Sequence, residues 1–269
     1  MKMTHTTLAL IAAAAGILSS TDAVAGTKSG KAPAPAVTPA PETPFVTGTL
    51  GLTVNTHFNS YGQDIWGAGN SFSDPLFNPM LELNFDLGGG WTGIIGTWWD
   101  VNDNAPTTIG SSIQEIDVWG GFAYTMDKWK FTLLYQSWNY ASQIEHIVDF
   151  KIAYNDGVLN PFLMLHGRVG IEIPGFDEGL VTQLGIGPSK TVGDFTFTFP
   201  VSVSFDTDGF HSGDAGFAWA QAGVNITYAI SKHLSMGVGV AYNYTNSDVI
   251  PTNPDESFVS GSAGLTITF

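Results

Sequence analysis

The chain has no cysteine, so neither a disulfide framework nor a lipid-modified N-terminal cysteine is available to it. Its stability must come from packing and from the backbone ladder. Charge is scarce as well: 12% of the 269 residues are Asp, Glu, Lys or Arg, against roughly 25% in soluble domains. Basic residues are the rarest of these, nine against 24 acids, and Arg168 is the only arginine. A net charge of −15 repels nucleic acid, which is excluded as a partner. No apolar run reaches the ~20 residues of a membrane-spanning helix. There is no phosphate-cradling loop, zinc spacing or dinucleotide fingerprint, and Gly88-Gly89-Gly90 reads as a turn because no helical pattern follows it. No cofactor and no metal is expected.

What is present is glycine, with 32 residues, and aromatic side chains, which make up 13% of the chain. Aromatic-rich and charge-poor composition suits a surface that faces lipid, where a Lys or Arg costs ~2–4 kcal/mol at the bilayer midplane. The N-terminus carries Lys2, an apolar stretch from Leu8 to Leu18 and the small residues Ala23-Val24-Ala25. That pattern predicts a secretory signal peptide over 1–25, cut after Ala25. Residues 26–45 are rich in Pro and Ala and predict an extended periplasmic spacer.

From residue 46 onward the hydrophobic period becomes two. Near 46–58, Leu50, Leu52, Val54, Thr56 and Phe58 fall on one face, and Thr49, Gly51, Thr53, Asn55 and His57 on the other. Near 79–87, Leu81, Leu83, Phe85 and Leu87 oppose Glu82, Asn84 and Asp86. Ten further strands are predicted near 91–101, 113–125, 128–138, 145–154, 160–169, 180–188, 195–205, 217–229, 234–244 and 258–269. In the ninth strand, FTFTFPVSVSF, Pro200 predicts a bulge because it cannot donate to a ladder.

The connectors alternate in length, as the short periplasmic turns and long outer loops of membrane barrels do. The short set is Gly88-Gly89-Gly90, Met126-Asp127, Asn155-Asp156-Gly157, 188–194 and 230–233, and Lys128, Lys130, Lys190 and Lys232 lie in or beside it. The longer set is near 59–78, 102–112, 170–179, 206–216 and 245–257. An even strand count returns both ends of the barrel to the periplasm. The fold class expected over 46–269 is therefore all-β, a closed antiparallel transmembrane barrel of twelve strands. A secreted β-sandwich or jelly roll also alternates, and it remains the competing architecture.

The closing segment FVSGSAGLTITF, ending on Phe269, together with the dyad repeats and the signal peptide, resembles the porin-like outer-membrane barrels of Gram-negative bacteria. Residues 50–74 (LGLTVNTHFNSYGQDIWGAGNSFSD) and 115–122 (EIDVWGGF) are similar to an uncharacterised family of conserved hypothetical outer-membrane proteins, from which no site residue follows. The resemblance implies a place in the bacterial outer membrane, with lipid and lipopolysaccharide around the wall.

Within such a barrel the inward registers carry the chemistry. They hold Glu82, Asp86, Asp100, Glu115 and Asp117 on strands two to four, Asp149 and Lys151 on strand six, and His166 and Arg168 on strand seven. Six acids against two bases suggest an acidic constriction that attracts cations. The competing reading is a self-neutralising network that stitches the wall together. Trp98, Trp119, Trp138 and Trp219 share the inward registers, with Gly96, Gly121 and Gly223 nearby to leave space beside three of the rings. Such rings suit a flat or sugar-like solute, or else belong to the interfacial girdle with Trp91, Trp99 and Trp129. The run Asp206-Thr207-Asp208-Gly209 with Asp214 is a partial calcium loop without the terminal bidentate Glu. Nucleophilic catalysis needs Ser and His within hydrogen-bond reach, yet His57 and Ser60 are three apart on a strand and point to opposite faces. The function expected is non-enzymatic: passive diffusion of small hydrophilic solutes through a channel that prefers cations or neutral molecules. The alternative is a structural or adhesion barrel with a plugged lumen, acting through its outer loops.

Overall fold

The computed structural model describes residues 44–66, 74–105, 109–174 and 176–269. The expected signal peptide and almost all of the expected spacer lie outside them. The described residues form no helix. Strand β1 (Val46–Asn55) is followed by a two-rung hairpin, β2 (Asn59–Ser60) and β3 (Gln63–Asp64). Then come β4 (Leu76–Gly88), β5 (Trp91–Val101), β6 (Ile113–Met126), β7 (Trp129–Asn139), β8 (Ile144–Tyr154) and β9 (Phe162–Ile171). The wall continues as β10 (Gly179–Ile186), β11 (Ser189–Val192), β12 (Phe195–Thr198), β13 (Val201–Asp206), β14 (Gly216–Ala229), β15 (Leu234–Thr245) and β16 (Ser257–Thr268).

Every wall strand pairs antiparallel with its neighbours, and the sheet closes where β1 meets β16, from Thr49 opposite Thr268 to Asn55 opposite Ser262. Phe269 locks this seam. Its amide donates to the Gly48 carbonyl at 3.0 Å, and the Gly48 amide donates back to the Phe269 carbonyl at 2.7 Å. β10 with β11, and β12 with β13, are each one strand interrupted at a proline, so the sheet is a barrel of twelve strands.

At Pro200 the structure corrects the expected bulge. Ile186 faces Val201 and Ser189 faces Thr198, so the register is unbroken across the Gly187-Pro188 and Phe199-Pro200 gaps. The prolines remove donors without inserting a residue, and the Phe199 amide still donates to the Pro188 carbonyl at 2.9 Å. The bulge in this strand lies further on, between Ser204 and Phe205, where Ala218 is the extra residue on β14. This hairpin also runs longer than expected: Ser189–Val192 is paired strand, which leaves Gly193-Asp194 as its turn and places Lys190 within the wall.

The period-two pattern appears as two surfaces. Outward side chains such as Leu81, Ile95, Phe122, Leu133, Leu184, Val240 and Leu265 stand exposed around the wall. So continuous an apolar band needs lipid to cover it. Aromatic pairs mark its lower rim at the short turns, with Trp91 against Tyr124 at 4.8 Å, Trp129 against Tyr154 at 4.6 Å and Phe195 against Tyr228 at 4.9 Å between ring centroids. The buried core lies inside the barrel, at the end of the long loops.

Candidate functional site: the filled mouth and the lumen wall

Past Asn55 the chain leaves the wall and turns inward. Phe58, expected on the lipid face, is instead buried inside the mouth with its ring 5.0 Å from that of Trp98. The alternation that assigned it outward stops where β1 stops, because the following residues no longer share the sheet's pleat. The hairpin that follows reverses at Tyr61-Gly62, with φ of 47° and 104°. Positive φ at both central residues is the geometry that matches strand twist. Gly62 is required there, since a Cβ would sit 2.6 Å from Trp219 Cβ and 2.8 Å from Ile250 Cδ1. Tyr61 accepts a conformation costly for an aromatic residue and places its ring on His166, 4.1 Å between centroids. His166 in turn stacks on Trp138 at 5.2 Å.

Polar contacts tie the hairpin to the opposite side of the barrel. Asn59 Nδ2 donates to Asn243 Oδ1 at 2.6 Å, Gln63 Nε2 to Thr252 Oγ1 at 2.8 Å, the Asp64 amide to Asn253 Oδ1 at 2.8 Å, and Asn253 Nδ2 to the Gly62 carbonyl at 2.8 Å. The segments after β9 and β13 complete the filling with Ile173, Phe176 and Phe210.

Arg168 holds those two segments. Its Nε donates to Glu145, its Nη1 donates to the carbonyls of Phe210 at 2.7 Å and Asp177 at 3.2 Å, and its guanidinium lies 4.0 Å above the Phe210 ring. Charge and ring contact thus join wall to loop in one side chain. Other wall acids are similarly engaged. His166 Nδ1 meets Asp149 at 2.6 Å, His211 Nδ1 meets Asp206 at 2.6 Å, and Asp100 accepts from Trp66 Nε1, Asn78 and Asn102 at 2.8, 3.0 and 2.9 Å. Glu115 and Asp117 are fully buried, two residues apart on the same inward face of β6.

The residues picked out by register separate into two levels. At the loop end, Trp98, Asp100, Glu115, Asp117, Trp138, Asp149, His166, Arg168 and Trp219 are brought together, each under 10% exposed and covered by the filling. Towards the short turns, Glu82, Trp119 and Lys151 are only half-buried, and Asp86 sits exposed at the rim with its carboxylate accepting from the Gly88 amide. Trp119 lies across Gly96 of the adjacent strand, where any Cβ would overlap the ring, and its Nε1 donates to Glu82 Oε2 at 3.1 Å. The space beside Gly96 therefore serves its cross-strand partner, not Trp98 two residues on. Lys151 lies 4.6 Å from the centre of the Phe162 ring.

Sequence reasoning missed Glu145, although the register that puts Asp149 and Lys151 inward puts Glu145 inward too. It also missed Tyr61, Phe176 and Phe210, which lie in long loops where period gives no direction. The Asp206 carboxylate, read as part of a partial calcium loop, is engaged by His211. His57 Nδ1 lies 2.9 Å from Thr56 Oγ1, and the Ser60 hydroxyl has no hydrogen-bond partner among the described residues, so the two do not form a nucleophile and base. In the loops, burial and the nearby Asp255 charge push Asp64 up to about 7. Burial holds His211 below the ordinary histidine range in spite of Asp206.

No protein-family model and no curated protein matches the chain. Among solved structures, the KdgM porin aligns with a TM-score of 0.50 and 10% identity over 82% of this chain and 99% of its own. The fold is that of a porin-like outer-membrane barrel. The KdgM porin in complex with disordered oligogalacturonate aligns with a TM-score of 0.48 and 9% identity, covering 83% and 99% of the two chains. Outer membrane phospholipase A from Escherichia coli aligns at 0.45 and 14%, covering 82% and 92%. At such identities the likeness is one of fold.

Proposed function

We propose that this barrel is an outer-membrane channel for passive diffusion of small hydrophilic solutes, with a preference for cations or neutral molecules. The observation that carries the reading is the charge of the inward wall. The inward registers carry Asp100, Glu115, Asp117, Glu145 and Asp149 with only Lys151 and Arg168 as bases, an acidic excess inside a wall whose outer face is apolar. Selection then follows from pore size and lumen electrostatics, without energy input and without bond chemistry. Below the filled mouth, the Trp119 ring held flat by Gly96 and Glu82 is the platform for a neutral, hydroxyl-bearing solute, which stacks on the ring while the carboxylate accepts its hydrogen bond. Residues 1–25 serve as the export signal and 26–45 as the periplasmic spacer, and lipid with lipopolysaccharide surrounds the band of exposed side chains.

A second reading is favoured by the filled mouth itself: a structural or adhesion barrel that acts through its outer loops. Liposome swelling separates the two. Vesicles carrying the refolded protein swell in small sugars and in choline chloride if the channel reading holds, with rates that fall as solute size rises. Rates equal to protein-free vesicles for every solute favour the plugged barrel.

A further inference from the structure

We propose that the hairpin of β2 and β3 is a displaceable gate, hinged at the end of β1 and latched on the segment 246–256. This inference rests on the channel reading, and it specifies which piece of the filling moves.

The latch side is fixed. The Asn246 amide donates to the Ala218 carbonyl at 2.8 Å, Asn246 Nδ2 donates to the Phe217 carbonyl at 3.1 Å, and Val249 and Ile250 are buried against Ala218 and Trp219. The hairpin, by contrast, joins the wall by no strand ladder. It pairs only with itself, over two rungs. Its ties across the mouth are side-chain hydrogen bonds, the stack of Tyr61 on His166, and the packing of Phe58 on Trp98 and of Gly62 against Trp219 and Ile250. The hydrogen bonds among these exchange readily for water.

Imperfect satisfaction points the same way. Ser60 Oγ, Gln63 Oε1, Asp64 Oδ1 and His166 Nε2 are buried without a hydrogen-bond partner among the described residues. Groups in that condition gain solvation when the hairpin lifts, which offsets part of the packing and hydrogen bonding given up. Lifting the hairpin also takes Tyr61 off His166, and so uncovers the acidic wall on which cation preference depends.

The absence of native cysteine makes the test clean. Gln63→Cys with Thr252→Cys, bridged by a short reducible bis-methanethiosulfonate, ties hairpin to latch. Single-channel recording in planar bilayers should show open probability falling at least tenfold on bridging and returning with dithiothreitol. Asn253→Ala, which removes the acceptor for the Asp64 amide and the donor to Gly62, should raise open probability several-fold. Equal conductance in the bridged and reduced states overturns the gate and leaves the channel reading standing. A variant with 58–65 replaced by a Gly/Ser linker decides the remaining case: conduction there with a silent parent supports the gate, and silence in every form overturns gate and channel together.

Discussion

Arg168→Met is the most informative single change in the barrel. The substitution keeps much of the apolar volume but removes the guanidinium that neutralises Glu145, in a site where both side chains are 1% exposed. Breaking a buried pair from one side costs about 3–5 kcal/mol, because the remaining charge stays buried and uncompensated. The cation–π contact with Phe210, 4.0 Å away, adds about 1 kcal/mol. Urea unfolding in detergent micelles, followed by tryptophan fluorescence, should therefore show a stability lower by about 4–6 kcal/mol. The loops should also loosen, since the bonds to the Phe210 and Asp177 carbonyls go too, so proteolysis within 172–178 and 207–213 should accelerate. Adding Glu145→Gln removes the stranded charge while leaving an oxygen for the Tyr140 hydroxyl, which donates to it at 3.3 Å. The double variant should recover roughly half of the loss. A loss below about 1 kcal/mol for Arg168→Met, well under the cost of stranding a buried charge, refutes the claim that this pair holds wall and loops together. A double variant no more stable than the single one refutes it as well.

Further expectations follow from other positions. Burial, with the nearby Asp255 charge, raises the Asp64 carboxyl from 3.8 to about 7, so the folded hairpin holds a proton that the unfolded chain releases first. Its stability is greatest below 3.8 and declines as pH rises through that window to about 7; the exchange protection of 58–65, corrected for the intrinsic rise of exchange with pH, should fall accordingly, and Asp64→Asn should flatten the profile, whereas a parent whose protection does not change contradicts the assignment. Gly96→Ala drives a methyl group into the Trp119 ring, so the ring must leave the wall and give up Glu82; a red-shifted Trp119 emission and a cost of about 1–3 kcal/mol are expected, and an unchanged spectrum is evidence against the platform. Val240→Arg, at the middle of β15 on the outward face, should cost ~2–4 kcal/mol in a bilayer, while inward Thr227→Lys should cost under about 1 kcal/mol; similar costs for the two would reverse the assignment of faces.

The wall was legible in the sequence because its two faces meet different solvents. A lipid-facing residue and a lumen-facing residue alternate under a strict physical contrast, so Leu81 against Glu82 or Phe205 against Ser204 assigns direction as well as strand. The same contrast led to the inward acids, to Trp119 and to Arg168. It failed at Phe58, where alternation was carried past the last paired residue of β1. It also misplaced the irregularity of the ninth strand, since a proline can omit a donor without shifting register. The filled mouth was not legible at all. Tyr61, Phe176 and Phe210 are apolar residues in polar loops, a pattern shared by exposed loops, and only the Tyr61-Gly62 turn with Asn59 before it carries a local signal for a hairpin. Hence the inward tryptophans could be placed on the lumen side but not seen to lie beneath a cover. Trp119 owes its orientation to a cross-strand glycine that sequence spacing assigned to another ring.

The measurement that tests the channel most directly is the reversal potential of the mature, refolded protein in a planar bilayer under a potassium chloride gradient. Discrete steps that reverse towards the potassium equilibrium potential are predicted, since the wall exposed on opening carries Asp100, Glu115, Asp117 and Asp149. Steps that reverse towards the chloride potential, or a folded barrel that stays silent even with residues 58–65 replaced by a flexible linker, contradict the account.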